Sequence, residues 1–299
     1  MKRIIINISL ALSAMMLLNS CGRTFEEINT DTSKIISPTA GSLLSPVQFD
    51  MASYGYNRAD DFTFQIMQVA IPFPNEGNTV SRYYLTEGTG NGYWNTSYKW
   101  LKQVKEMHTF AVAEDQKNYQ AIAMVLNAFI YANLTDAFGD IPFSEALRLE
   151  ENMTKPKFDS QKDIYVTLLD DLKAANALFD TTKPLTETDL FFHGEASAAN
   201  MVKWKKFTNS LSLRLLNRIQ KRNGEVNVYA RIQEIVNDPA TYPIFQNNAD
   251  GVVLDISGVA PFTPPIARPQ DFTAYRAAGE LFVNTLKDQR CSSEQRCLR

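Results

Sequence analysis

Histidine and cysteine are scarce in this 299-residue chain: it has two His, His108 and His193, and three Cys, Cys21, Cys291 and Cys297. A zinc module needs Cys and His at set spacings, and none occurs here. No phosphate loop, nucleophile elbow or calcium loop is present either. Gly88-Thr89-Gly90-Asn91-Gly92 is Gly-rich, but it follows no expected strand and reads as a flexible loop. Positive charge is also short, with 30 Lys and Arg against 33 Asp and Glu. Nucleic-acid binding relies on clustered cations to neutralise phosphates, so nucleic acid is not an expected partner. What the chain does have is apolar mass, 44% hydrophobic and 11% aromatic, enough for a core in one large domain or two small ones.

Lys2 and Arg3 precede an apolar run from Ile4 to Leu18. That run falls short of the ~20 residues of a comfortable membrane span. With its basic start it reads as a secretory signal peptide over residues 1–20. It ends in Leu18-Asn19-Ser20-Cys21, which has the form of a lipobox, so Cys21 is the expected lipidation site. Several acyl chains make a durable anchor, at about 0.8 kcal/mol per buried methylene. Loss of Lys2 and Arg3 with the leader would take the net charge from −3 to −5. Glu26 and Glu27 follow the Cys closely and fit either an export signal or a solvated tether, the latter extending over residues 21–41.

Helical periodicity dominates the rest. Leu43–Tyr54 and Asp61–Val69 are helix candidates, followed by a long loop from Ile71 to Gly92 that carries Pro72, Pro74 and four glycines. Trp94, Tyr98, Leu101, Val104 and Met107 mark one helix, and Asn118–Leu134 forms the next. Ser160 is placed to cap a third, in which Ile164, Leu168, Leu172, Ala175 and Phe179 share a face. A fourth spans about Ala198 to Lys221, with Trp204, Phe207, Leu211, Leu215 and Ile219 inward, and a fifth spans Val228 to Asn237. Val252–Ile256 reads as a short strand, four prolines between 261 and 269 as an irregular connection, and Ala278–Leu286 as a further helix. The expected fold class is mainly α, a tetratricopeptide-like helical-repeat scaffold with long loop insertions.

The stretch Tyr119–Leu147, YQAIAMVLNAFIYANLTDAFGDIPFSEAL, carries the most information. Ile122, Ala123, Leu126, Phe129, Ile130 and Leu134 recur at helical spacing, while Ala121, Met124, Val125 and Ala128 make the opposite face apolar as well. Such a helix belongs inside an assembly of helices. Gly139 can take a left-handed conformation that ends it, Pro142 cannot continue it, and Ser144 is placed to cap a restart through Glu145 and Ala146. The phrase Phe138-Gly139-Asp140-Ile141-Pro142-Phe143-Ser144-Glu145-Ala146-Leu147 resembles, without gaps, the "YGDIPYSEAL" phrase of the SusD/RagB family of nutrient-binding lipoproteins. Phe25–Asp31, Pro156–Tyr165 and Trp204–Leu215 resemble other phrases of that family. The resemblance implies a lipid-anchored, surface-exposed outer-membrane protein without catalytic activity or cofactor. It would deliver an oligosaccharide, or alternatively a peptide, to a SusC-like TonB-dependent transporter. It also implies a SusD-like helical-repeat domain over residues 42–288. Residues 289–299 depart from the family pattern, and they read as an aberrant or truncated tail, or as a variant tail with a Cys291–Cys297 disulfide.

Asp136 and Asp140 invite comparison with the paired carboxylates of glycoside hydrolases, but they straddle a helix stop, where Asp bonds local backbone. Asp60-Asp61 and Asp170-Asp171 read as solvated surface. Sugar recognition needs flat aromatic faces with amides and cations for the hydroxyls. The loop from Phe73 to Tyr93 has that mixture, in Phe73, Asn75, Asn78, Arg82, Tyr83, Tyr84, Asn91 and Tyr93. Trp94 adds a ring, although its spacing to Tyr98 and Leu101 favours a core position. The candidate ligand-binding set is therefore Arg82, Tyr83, Tyr84, Asn91, Tyr93 and Trp94. A surface hydrolase and a ligand-free helical scaffold are the rival readings.

Overall fold

The computed structural model describes residues 38–74, 77–192, 197–260, 263–264 and 276–287. The signal peptide, Cys21, Glu26 and Glu27, most of the tether, Asn75, His193, three of the four prolines between 261 and 269, and the tail with Cys291 and Cys297 lie outside the described residues.

The principal helices are α1 (Ala40–Arg58), α2 (Asn91–Ala113), α3 (Lys117–Phe138), α4 (Gln161–Leu178), α5 (Ala198–Arg218) and α6 (Val228–Asn237). Each packs chiefly on its neighbours in sequence, α1 on α2, α2 on α3, α3 on α4, α4 on α5 and α5 on α6. Three residues join α2 to α3, so the chain must reverse there. This is the expected helical-repeat arrangement.

Local chemistry sets the helix starts. Thr39 and Ser42 form a reciprocal capping box at α1, Ser160 Oγ accepts from Asp163 N at α4, and Ser197 Oγ accepts from Ala199 N at α5. α3 lies between α2 and α4, with Ala121, Ile122, Val125, Leu126, Ala128 and Leu134 wholly buried. By length and composition α3 could cross a membrane, but most of that stretch is buried within the protein.

The helices are cross-tied through buried polar groups. Asn209 Nδ2 donates to Asn176 Oδ1 and to the Pro243 carbonyl, while Asn176 Nδ2 donates to the Thr241 carbonyl, joining α4, α5 and the segment after α6. Asp189 is fully buried and accepts from Gln48 Nε2 of α1 at 2.7 Å, from Trp204 Nε1 of α5 at 2.6 Å, and from Phe191 N. Gln48 Oε1 accepts in turn from Leu190 N. Burial pushes the Asp189 carboxyl above its ordinary pKa, against the three N–H donors that favour the anion.

Two small antiparallel ladders connect distant segments. β1 (Ala70–Pro72) pairs with β4 (Arg276–Ala278), and β2 (Ile141–Pro142) pairs with β3 (Phe158–Asp159). Arg276 Nε donates to Asp60 Oδ1 at 2.9 Å, and its guanidinium also pairs with Oδ2, locking the first ladder to the turn after α1.

Several expectations need correction. Asp60 is not solvated surface but the partner of Arg276, whereas Asp61 is exposed as expected. Asp171 is partly enclosed, and burial followed by the charge of Asp170 raises its pKa. The helix expected over Asp61–Val69 is a π-helical turn, Ala59–Thr63, continuing α1 into a short turn, Phe64–Ile66, and Gln68 at φ 55° ends it. Residues 252–256 form no regular strand; only Val253 bridges to Phe192. Ala278 belongs to β4, and the last described helix covers residues 280–287. Ser144 caps no helix, because residues 144–147 form a turn that Leu147 closes at φ 59°.

Asp189→Ala would leave the Trp204 and Gln48 donors buried without an acceptor. It is expected to lower unfolding stability by about 3 kcal/mol in denaturant titration, whereas a loss under 1 kcal/mol would show that the network holds little.

Candidate functional site

The turn after α3 assembles the aromatic surface of this protein. Phe138 is the last residue of α3, and Gly139 follows at φ 77°, ψ −127°. A β-carbon there would meet no neighbour, so only the backbone conformation demands glycine, at a cost of about 1–3 kcal/mol for other residues. Thr135 Oγ1 donates to the Gly139 carbonyl at 2.6 Å and fixes the reversal. Ile141 is then wholly buried as an anchor, and Pro142 pairs with Phe158 across the β2–β3 ladder.

Asp159 secures the same ladder. Its carboxylate accepts from Phe143 N, Ser144 N and Ser144 Oγ, and pairs with Lys157 at 3.3 Å. Burial acts to raise its pKa, but the Ser144 donors and Lys157 prevail and hold it below the ordinary value of 3.8. Ser144 thus serves β3 rather than a helix.

Trp94, one turn into α2, lies among the rings this turn delivers. Its centroid is 5.1 Å from Phe138, edge to face, 6.3 Å from Phe158, near-parallel, and 5.1 Å from Tyr98. Phe138 stacks on Tyr93 at 6.2 Å, and Tyr93 on Tyr54 at 6.4 Å. The Arg58 guanidinium sits 3.7 Å from the centre of the Tyr93 ring. Gly90, at φ 99°, lets the chain enter α2 against Phe138, since a β-carbon there would lie 3.1 Å from that ring. Tyr98 Oη donates to the Pro142 carbonyl at 2.7 Å, and burial raises its pKa well beyond the usual phenol range. The Tyr98 ring is thus fixed and its phenol held neutral, while Phe158, 63% exposed, and Phe138, 36% exposed, meet solvent.

The six sequence-derived candidates separate into groups. Tyr93 and Trp94 share this array, joined through Phe138. Trp94 is half-buried and packs against the core, as its spacing suggests; the fully buried tryptophan of α2 is Trp100, whose Nε1 donates to Asp50. Asn91 is exposed in the first turn of α2. Arg82 is exposed and donates to the Gly77 carbonyl. Tyr83, at φ 58°, is 62% exposed with its hydroxyl on the Ile66 carbonyl, and Tyr84 is 50% exposed. Among the described residues neither of these two rings stacks on another aromatic. Sequence reasoning missed Phe138, Phe158, Arg58 and Tyr54 as parts of one surface. Phe138 and Phe158 stand inside recognised phrases, but the packing of α3 on α2 brings the first to Trp94 and the β2–β3 ladder brings the second.

Asp136 and Asp140 have local partners. Asp136 accepts from Tyr165 Oη at 2.6 Å and pairs with Arg218 at 2.8 Å, and Asp140 accepts from Gln161 N. Among the described residues no group of three or more His, Cys, Asp or Glu is placed to hold a metal ion. The array of Trp94, Phe138 and Phe158 offers apolar ring faces of the kind that stack on sugar rings.

The sequence profile of the SusD-like family described as starch-binding and associating with the outer membrane matches residues 31–292. The chain belongs to this family. No match was found among curated proteins. In fold the chain is similar to a candidate nutrient-binding outer-membrane protein of Bacteroides vulgatus ATCC 8482, at 22% identity and TM-score 0.66, covering 84% of this chain and 51% of that one. It is similar also to a SusD-like protein of Bacteroides thetaiotaomicron VPI-5482, at 18% identity and TM-score 0.63, covering 80% and 49%. A SusD/RagB family protein of the same organism matches at 21% identity and TM-score 0.57, covering 81% and 50%. The chain thus spans about half the length of these solved structures.

The Asp159 carboxylate generates a pH prediction. A pKa depressed on folding adds stability above the unfolded value, and that stability disappears as pH falls through the folded value. Asp159→Asn is therefore expected to be less stable than wild type near pH 7, with the gap closing below pH 3.8. Equal stability of the two proteins across that range, measured by thermal melts, would contradict it.

Proposed function

We propose that this protein is a non-catalytic glycan-binding lipoprotein of the outer membrane surface. It captures neutral oligosaccharides on the Trp94–Phe138–Phe158 surface and passes them to a SusC-like TonB-dependent transporter. The observation that carries this reading is the exposed Phe158 ring lying near-parallel to Trp94, with Phe138 across its edge, in a chain whose family profile is described as starch-binding. An apolar sugar face gains stacking and burial on such rings, and α2, α3 and the β2–β3 ladder hold the rings at low entropic cost. Asn91 at the start of α2 supplies amide hydrogen bonds for hydroxyls. Arg82, Tyr83 and Tyr84 form an outlying part of the binding face. Residues 1–20 act as the signal peptide, Cys21 carries the lipid, and residues 21–41 tether the SusD-like domain to the membrane.

Trp94→Ala and Phe158→Ala are each expected to weaken binding of a neutral maltooligosaccharide about tenfold or more in calorimetry, with melting temperature lowered by only a few degrees for Phe158→Ala. Unchanged affinity in both variants would reject the surface as the site.

Cys21→Ala removes the proposed acylation site. The variant is expected in the soluble fraction, with wild type in the membrane fraction. Wild-type protein whose Cys21 is unmodified by mass spectrometry would reject the anchor.

A further inference from the structure

On the other side of the α3 turn lies a cleft of about 760 Å³, built from the end of α3, the start of α4, the end of α5 and the turns that follow it over residues 219–226. Its size falls within the ~300–1,000 Å³ of small-molecule sites. It differs in chemistry from the aromatic surface. Its one ring, Tyr165, is buried and spends its hydroxyl on Asp136, so the cleft offers no open stacking face.

Charge dominates the lining, with Lys162, Arg218, Lys221 and Arg222 against Asp136, Asp140 and Glu225. Each carboxylate is already engaged. Asp136 holds Tyr165 and Arg218, Asp140 holds the Gln161 amide, and Glu225 lies between Lys162 at 3.2 Å and Arg222 at 3.3 Å. Lys221 makes no ion pair among the described residues, and Arg222 is largely exposed, so donors remain. The cleft therefore has one cation in surplus, with an ammonium and a guanidinium adjacent in sequence.

We propose that this cleft is a second binding site and that it takes an acidic oligosaccharide, a sugar carrying a carboxylate such as a uronic acid. The carboxylate pairs with Lys221 and Arg222, and the hydroxyls meet the side chain of Gln220 and Oε1 of Gln161, whose Nε2 donates to the Thr135 carbonyl. The inference rests on the glycan-binding reading above and extends it to a ligand class that the aromatic surface does not favour. Held by charge rather than by stacking, the acidic ligand binds in a salt-dependent way.

Calorimetry on the full chain with trigalacturonate and with neutral maltotriose separates the possibilities. Wild type is expected to bind trigalacturonate, with affinity falling about tenfold or more in Lys221→Glu and in Arg222→Glu, and falling also as salt is raised. Maltotriose binding is expected to be unchanged in both variants. Melting curves matching wild type would show that these exposed substitutions leave the fold intact. Trigalacturonate binding that ignores both substitutions, or that is lost instead in Phe158→Ala, would overturn the cleft proposal. Maltotriose binding with no trigalacturonate binding would overturn it while leaving the aromatic site standing. Binding of trigalacturonate alone, sensitive to Lys221→Glu, would support the cleft and count against the aromatic site. Binding of neither sugar would overturn both.

Discussion

A helix that is apolar on nearly every side has to be enclosed, and the enclosure of α3 organises everything else here. With Ile122, Val125, Leu126 and Leu134 wholly buried, α3 needs α2 on one side and α4 on another. Those helices in turn have faces left over, and α1 and α5 cover them. The layered helical array is the extension of one burial requirement outward. The end of α3 is the point where this constraint becomes useful, because Gly139 releases the chain abruptly and leaves Phe138 at the surface on a rigid support. The same reversal seats Ile141 in the core and places Pro142 to receive Phe158.

Two surfaces of different chemistry follow from that one turn. On one side Phe138, Phe158 and Trp94 offer ring faces backed by fixed neighbours, with Tyr98 bonded to the Pro142 carbonyl beneath them. On the other side Asp136 and Asp140 are tied to Tyr165, Arg218 and the start of α4, walling a charged cleft. Carboxylates brace both sides, Asp159 through Ser144 at the β2–β3 ladder and Asp136 and Asp140 through Tyr165 and the Gln161 N–H. Loops held by a rigid frame lose little freedom on binding, which favours capture of flexible, weakly apolar ligands.

The helices were legible because their signals are local. The period of α4 and its Ser160 cap, and the stop of α6 before Pro239, lie within single segments, and the structure keeps them. The sugar-facing candidates were only partly legible, because the relevant contacts cross long separations. Tyr93 and Trp94 could be noticed in sequence, but Phe158 reaches Trp94 only through a two-residue ladder, with no strand pattern long enough to read. Asp60 looked like surface for the same reason, since its partner Arg276 is more than 200 residues away. Ser144 reads locally as a helix cap, but its partner is Asp159, fifteen residues on.

The central claim is that the rings gathered around the α3 turn are a sugar platform. A crystal structure of the chain grown with a neutral maltooligosaccharide tests it most directly. The account predicts a sugar ring lying flat on Phe158 or Trp94, with carbon–carbon contacts of about 4 Å. A well-ordered sugar bound elsewhere, with the Phe158, Phe138 and Trp94 faces bare, would contradict it.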